Sequence, residues 1–125
     1  MSRHNPRFLA LVDAAKARIQ EIDVATTLAD LAGSQPPLVI DCREDHEFAA
    51  GHARGAEHLS KGTLERDIEA RCPDLDTPIV LYCGGGFRSA LAADALQTMG
   101  YQRVWSLAGG WRAWRAANAP IHIPD

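Results

Sequence analysis

The residues best suited to chemistry form one short segment, Cys83-Gly84-Gly85-Gly86-Phe87-Arg88-Ser89. An ionised cysteine is a nucleophile, and the three glycines leave no side chain between Cys83 and Phe87. A glycine-rich loop can turn its backbone N–H groups inward, and N–H groups at a helix N-terminus bind anions. The same positive field favours thiolate over thiol, and Arg88 adds a fixed positive charge. The segment therefore predicts a nucleophilic sulfur placed where an anionic substrate binds.

The elements on either side of this segment suit that interpretation. The apolar run Ile79-Val80-Leu81-Tyr82 predicts a buried strand that ends at Cys83. An amphipathic helix is predicted to begin at Ser89, and its apolar face consists of Leu91, Ala92, Ala95, Leu96 and Met99. Glycine runs also occur in ordinary turns, and a lone cysteine is often a small core residue. The strand before the loop and the helix after it favour the functional interpretation.

Three further segments flank the loop: Asp41-Cys42-Arg43-Glu44, Glu47-Phe48-Ala49-Ala50-Gly51-His52 and Gly109-Gly110-Trp111. Together with residues 83–89, and in this order, they resemble the rhodanese family of sulfurtransferases over about residues 22–121. The resemblance implies an enzyme of the thiosulfate sulfurtransferase type, a single-domain rhodanese without cofactor or metal, in which Cys83 carries sulfur as a persulfide.

The reaction expected from this resemblance has two half-reactions. The Cys83 thiolate attacks the outer sulfur of a small anionic donor such as thiosulfate, sulfite leaves, and a thiol, cyanide or a protein acceptor then takes the sulfur. Inward N–H groups of the loop stabilise the persulfide anion. The expected substrate-binding residues are Gly84, Gly85, Gly86, Phe87, Arg88 and Ser89, with Arg88 on the donor's anionic end. Many family members carry a cation directly after the cysteine, and Gly84 in its place leaves room for donors other than thiosulfate.

Two other functions remain open at this point. Cysteine phosphatases and arsenate reductases of a related fold also use a cysteine, an anion-binding loop and an arginine, but with five residues between cysteine and arginine. Only four separate Cys83 from Arg88, and a shorter ring suits the sulfur of a persulfide better than a tetrahedral phosphate. A non-catalytic rhodanese-like binding module is the third possibility, against which the presence of Cys83 argues.

Other polar residues are assigned structural roles. Asp41 and Arg43 are predicted to form a carboxylate–arginine tie beside the loop, although a direct influence on its shape is the alternative. Cys42 continues an apolar strand and is predicted to be a core residue rather than a resolving thiol. Three histidines lie six residues apart: His46, His52 and His58. Their spacing fits no standard zinc pattern, so we expect no metal site and interpret His52 as structural.

The alternation of strands and helices predicts an α/β fold with a mostly parallel central sheet and helices on both faces. Ligands of such sheets bind beyond the carboxyl ends of the strands, where Cys83 is predicted to lie. The resemblance implies the rhodanese-like three-layer α/β/α arrangement. A first helix, over about residues 6–20, precedes the region of resemblance. We therefore divide the chain into an N-terminal helical extension, residues 1–21, and a rhodanese-like domain, residues 22–125.

Length and charge limit the remaining possibilities. The chain of 125 residues has a formal net charge of −3, which offers no basic footprint for nucleic acid. No apolar stretch is long enough for a membrane span, so we expect neither nucleic-acid nor membrane partners. Three cysteines without pairing motifs suit a reducing compartment, and we expect a cytoplasmic protein. The sequence leaves the oligomeric state open.

Overall fold

A computed structural model describes residues 4–125 of the chain. Its strands are β1 (Gln20–Ile22), β2 (Leu38–Asp41), β3 (His52–Ala53), β4 (Glu57–His58), β5 (Ile79–Tyr82), β6 (Val104–Leu107) and β7 (Ile121–His122). Its helices are α1 (Pro6–Lys16), α2 (Val24–Leu31), α3 (Asp45–Ala50), α4 (Leu64–Arg71), α5 (Phe87–Thr98) and α6 (Gly110–Ala116). Between residues 4 and 125, no helix has the length and apolar character needed to cross a bilayer.

The predicted α/β architecture is confirmed. Five strands form an entirely parallel sheet in the order β1-β6-β5-β2-β4, and β3 pairs with β7 in a small antiparallel sheet. Successive side chains of β5 alternate between the two faces. Ile79 and Leu81 pack on one face with residues of α4 and α5, and Val80 and Tyr82 pack on the other with Trp114 of α6.

The position of the loop follows from this topology. β5 lies between β2 and β6, and all four of its residues are buried because helices cover both faces. Its last residue, Tyr82, is in register with Asp41 at the end of β2. The predicted nucleophile therefore follows the central strand at the carboxyl edge of the sheet, together with the segment that begins at Cys42.

The N-terminal region differs from its prediction in one respect. The first helix ends at Lys16 rather than near residue 20, and Gln20–Ile22 instead form an edge strand paired with β6. A three-residue edge strand with two exposed side chains has too little alternation to be recognised in a sequence. Asp23 caps α2, since its side chain accepts a hydrogen bond from the Thr26 N–H at 2.8 Å. Residues 1–3 of the predicted extension lie outside the described residues.

Candidate active site

The Cys83 sulfur lies at the centre of the loop, and the residue is only 1% exposed. The backbone N–H groups of Gly86 and Ser89 donate to Sγ at 3.1 and 3.3 Å. Gly86 caps α5 with φ of +99°, a left-handed conformation that favours glycine. The helix begins at Phe87, two residues earlier than predicted, because the three glycines complete the turn by themselves. Two amides from the start of α5 therefore point at the sulfur.

Two buried hydroxyl groups extend this contact. Cys83 Sγ lies 3.4 Å from Ser89 Oγ, which lies 2.8 Å from Ser106 Oγ on the neighbouring strand β6. Both serines are completely buried. The two hydroxyl groups form a hydroxyl chain that gives the sulfur a polar contact beside the two amides and connects the loop to β6.

Helix α6 holds the loop from the opposite side. The N–H groups of Trp111 and Arg112 donate to the carbonyl oxygens of Cys83 and Gly84, at 2.7 and 3.2 Å. A Cβ atom on Gly110 would lie 2.3 Å from the Cys83 oxygen, so only glycine allows this approach. The carbonyl groups at the start of the loop are thus bound by α6, while amides later in the loop face the sulfur. This contact explains why Gly109-Gly110-Trp111 accompanies the cysteine loop.

Arg88 lines the cavity above Cys83 but does not act as an isolated cation. Its guanidinium donates to the two carboxylate oxygens of Glu47, at 2.9 and 3.3 Å. Both side chains are about one third exposed. The hydrogen bond from Arg88 lowers the pKa of Glu47 from 4.5 to about 2, so the carboxylate stays charged near neutral pH and offsets part of the arginine's charge. The sequence contains Glu47 in a recognisable segment, but nothing there indicates its pairing across 41 residues.

A second cation, Arg112, lies at the same cavity and was not predicted. The cavity measures about 170 Å³ and is lined by His4, Phe8, Cys83, Gly84, Gly85, Phe87, Arg88 and Arg112. Arg112 forms no salt bridge with any residue between 4 and 125. Arg112 could have been identified from the sequence, because it directly follows Gly109-Gly110-Trp111 and that turn places the first residues of α6 against the loop. Nothing in the sequence indicates that His4 and Phe8 line this cavity, because they are more than 70 residues from Cys83.

The predicted structural residues form a buried polar cluster at the end of β5, next to the loop. Arg43 Nη2 donates to Asp41 at 2.7 Å and to the Gly51 carbonyl at 2.7 Å, and both charged residues are buried. The Tyr82 hydroxyl donates to the same carboxylate at 2.6 Å. These contacts confirm the carboxylate–arginine tie. Cys42 is also buried, and its burial raises the pKa of its thiol well above the usual value, as suits a core residue.

The three histidines do not converge on one point. His52 stacks on Phe48 with ring centroids 3.7 Å apart, and its Nδ1 lies 3.0 Å from the Phe48 carbonyl oxygen. His58 stacks near the same phenylalanine, and its Nε2 lies 2.8 Å from the Arg43 carbonyl oxygen. The structural role predicted for His52 is confirmed. Across residues 4–125, no three potential ligand side chains of histidine, cysteine, aspartate or glutamate are grouped to hold a metal.

Comparison with known proteins agrees with this arrangement. The family described as Rhodanese-like domain matches residues 24–117. Thiosulfate sulfurtransferase GlpE of Vibrio cholerae is 35% identical over 100 residues, which cover 80% of this chain and 92% of the relative.

Two solved structures extend the similarity to nearly the full chain. A Rhodopseudomonas palustris protein of unknown function, described as a possible tyrosine phosphatase, has a TM-score of 0.80 and 32% identity, covering 98% of this chain and 99% of its own. The homodimeric polysulfide-sulfur transferase of Wolinella succinogenes has a TM-score of 0.78 and 28% identity, covering 93% of this chain and 87% of its own.

Proposed function

The chain belongs to the rhodanese-like domain family, and we propose that it moves sulfane sulfur from an anionic donor such as thiosulfate to a thiol or cyanide through a persulfide on Cys83. It is an enzyme of the thiosulfate sulfurtransferase type. One observation carries the mechanism. The buried sulfur of Cys83 accepts hydrogen bonds from two backbone N–H groups, those of Gly86 and Ser89, at 3.1 and 3.3 Å, and such donors stabilise a thiolate or a persulfide anion.

The first half-reaction forms a sulfur–sulfur bond on the enzyme. The Cys83 thiolate attacks the outer sulfur of thiosulfate, that sulfur's bond to the sulfonate breaks, and its electron pair leaves with sulfite. The cysteine then bears a persulfide anion, which the loop amides stabilise. In the second half-reaction, a thiolate or cyanide attacks the outer sulfur and releases the Cys83 thiolate. No net oxidant is needed, because the sulfur leaves with the acceptor.

Gly84 stands where many family members carry a cation, and the two arginines at the cavity supply positive charge in its place. Arg88 is shared with Glu47, whereas Arg112 lies at the cavity without an acidic partner between residues 4 and 125. We propose that both face the anionic end of the donor. A polysulfide is the second donor class to be tested, because the Wolinella relative is named for that substrate.

The proposed chemistry requires a reduced cysteine. All three cysteines are free thiols, and reducing compartments maintain that state. We therefore propose that the protein acts in the cytoplasm.

The direct test is the intact mass of the protein after incubation with thiosulfate. We expect a gain of one sulfur atom that cyanide or a thiol removes. Cys83→Ser should abolish the gain, because a serine hydroxyl is not appreciably ionised at neutral pH, and Cys42→Ala should retain it. A wild-type protein that gains no sulfur from thiosulfate or polysulfide would support a binding module instead.

Loop length separates this function from that of a phosphatase, which matters because one structural relative is described as a possible tyrosine phosphatase. Only four residues separate Cys83 from Arg88, and in this short loop the amides of Gly86 and Ser89 both reach the sulfur. We expect sulfur transfer and no meaningful hydrolysis of aryl phosphates. One glycine inserted between Gly86 and Phe87 should weaken persulfide formation, because the amides would no longer converge on the sulfur. A wild-type protein that hydrolyses the phosphate better than it transfers sulfur would refute the assignment.

A further inference from the structure

His4 places an imidazole ring at the cavity above Cys83, beside the rings of Phe8 and Phe87. Its ring centroid lies 4.5 Å from that of Phe87 and 5.2 Å from that of Phe8. Such separations are typical of packed ring pairs, so the two phenylalanines hold the imidazole at the cavity while the rest of His4 faces solvent. A histidine is therefore present at the cavity of the reactive sulfur, although none lies near Cys83 in the sequence.

The packing of α1 along α5 fixes the position of this histidine. Val12 and Ala15 of α1 are completely buried. Beyond the end of the helix, Arg18 donates to both carboxylate oxygens of Asp94 on α5, at 2.9 and 2.7 Å. The start of α1 is thereby held next to the start of α5, and His4 lies two residues before the first residue of α1. The N-terminal extension thus contributes a side chain to the cavity.

His4 differs from the other polar side chains at the cavity in its ability to accept a proton. Arg88 and Arg112 also line the cavity, but a guanidinium stays protonated and has no acceptor. The nearby carboxylate of Glu47 is bound to Arg88. His4 forms no ion pair with a carboxylate between residues 4 and 125. Histidine is the side chain that most often serves as a general base near neutral pH.

Only one of the two proposed half-reactions needs a base. Persulfide formation from thiosulfate transfers no proton, because the donor is already an anion. A thiol acceptor, by contrast, arrives mostly protonated, since free thiols such as cysteine have pKa values of about 8.5, and the thiolate is the nucleophile. A proton acceptor at the cavity would therefore speed the second half-reaction and leave the first unchanged.

From this arrangement, we infer that His4 is the general base of the second half-reaction and removes the proton from an acceptor thiol. The inference rests on the proposed function and adds a catalytic residue to it. His4 accepts the proton of R–SH, the thiolate attacks the outer sulfur of the Cys83 persulfide, and the bond between the two persulfide sulfurs breaks. Its electron pair stays on Cys83 as thiolate, the product R–S–S⁻ leaves, and His4 releases the proton to solvent.

A single-turnover experiment isolates this step. The protein is loaded with sulfur from thiosulfate, excess donor is removed, and the loss of sulfur to an acceptor is followed by intact mass after rapid quenching. The two acceptors each carry one aromatic ring: benzyl mercaptan is protonated at neutral pH, whereas pentafluorothiophenol is ionised. His4→Phe keeps a ring against Phe87 but cannot accept a proton, so transfer to benzyl mercaptan should slow about ten- to a hundredfold. Transfer to pentafluorothiophenol and loading from thiosulfate should keep their wild-type rates.

Two further variants complete the test. His4→Gln keeps a polar side chain without a base and should show the same selective loss as His4→Phe. His46→Ala is the matched control, because His46 is also exposed but lies outside the lining of the cavity, and it should leave both transfer rates unchanged.

The inference would be overturned if His4→Phe and His4→Gln passed sulfur to benzyl mercaptan at the wild-type rate. An equal slowing with both acceptors would overturn it as well, because that is the effect of a merely structural role. Either result leaves the proposed function intact, since sulfur is still loaded on Cys83. Failure of thiosulfate and polysulfide to load wild-type Cys83 would instead refute the proposed function.

Discussion

The ion pair between Arg88 and Glu47 allows a test in which two variants break the same contact and have opposite effects on binding. Glu47→Gln removes the negative charge, keeps the side chain's size and leaves an oxygen that can accept from the Glu44 N–H, as Glu47 does at 3.0 Å. Arg88→Ala removes the positive charge and leaves the Glu47 carboxylate unpaired near the cavity. If the pair sets the charge that a donor meets, Glu47→Gln should lower the KM for thiosulfate and Arg88→Ala should raise it.

The size of the effect follows from the position of the charges. The carboxylate lies behind the Arg88 guanidinium. We take about 8 Å for its separation from an anion that Arg88 would bind, and at that distance a unit charge contributes about 2 kcal/mol at an effective dielectric constant near 20. Because Glu47 and Arg88 are each about one third exposed, we take half, about 1 kcal/mol, which corresponds to about a fivefold lower KM in Glu47→Gln. Loss of Arg88 removes a hydrogen bond to a charged group, so KM should rise about ten- to a hundredfold.

The assay is steady-state transfer from thiosulfate to cyanide at neutral pH, with thermal unfolding measured for each variant. Both substitutions lose a half-buried ion pair and should reduce stability by a similar, modest amount, about 1 kcal/mol. Asp45→Asn is the control for net charge, because that side chain is 94% exposed and should leave KM unchanged. If KM moves in the same direction in Glu47→Gln and Arg88→Ala, in step with the loss of stability, the pair is only structural and the electrostatic argument fails.

Three further outcomes are expected. Gly110→Ala should reduce sulfur loading at least tenfold in an intact-mass time course, because a Cβ 2.3 Å from the Cys83 oxygen forces α6 off the loop; wild-type loading would show that α6 does not position it. Ser89→Ala should slow loading at neutral pH about three- to tenfold, because the sulfur loses its hydroxyl contact at 3.4 Å; an unchanged rate would refute a role for the hydroxyl chain. Since folding lowers the pKa of Glu47 from 4.5 to about 2, the stability that Glu47 contributes is complete above about pH 4.5 and lost toward pH 2. Urea titrations should therefore show a larger loss of stability in acid for the wild type than for Glu47→Gln, by about 1 kcal/mol after allowance for the exposure of the pair. Equal acid loss in both proteins would contradict that assignment.

Much of the fold and the reactive loop could be predicted because the signals are local. The buried run Ile79–Tyr82, the glycines after Cys83 and the helix behind them lie within 20 residues, and backbone conformation over such distances depends on residue type. The cap at Asp23 was predictable for the same reason. The start of α5 was placed two residues late, because capping by a left-handed Gly86 leaves no polar side chain to mark the boundary.

What surrounds the sulfur was decided by tertiary structure. Glu47 reaches Arg88 across 41 residues, Ser106 reaches Ser89 across 17, and α6 brings Arg112 to a loop that ends more than 20 residues earlier. Each of these polar groups had other possible partners in the sequence, and only the order of strands β2, β5 and β6 selects among them. The aromatic side chains at the cavity, His4, Phe8 and Phe87, depend in the same way on how α1 packs along α5. By itself the sequence determined a cysteine in an anion-binding turn, since that turn is local, whereas the charge, the hydroxyl chain and the apolar surface around it depend on which distant elements the folded core places side by side.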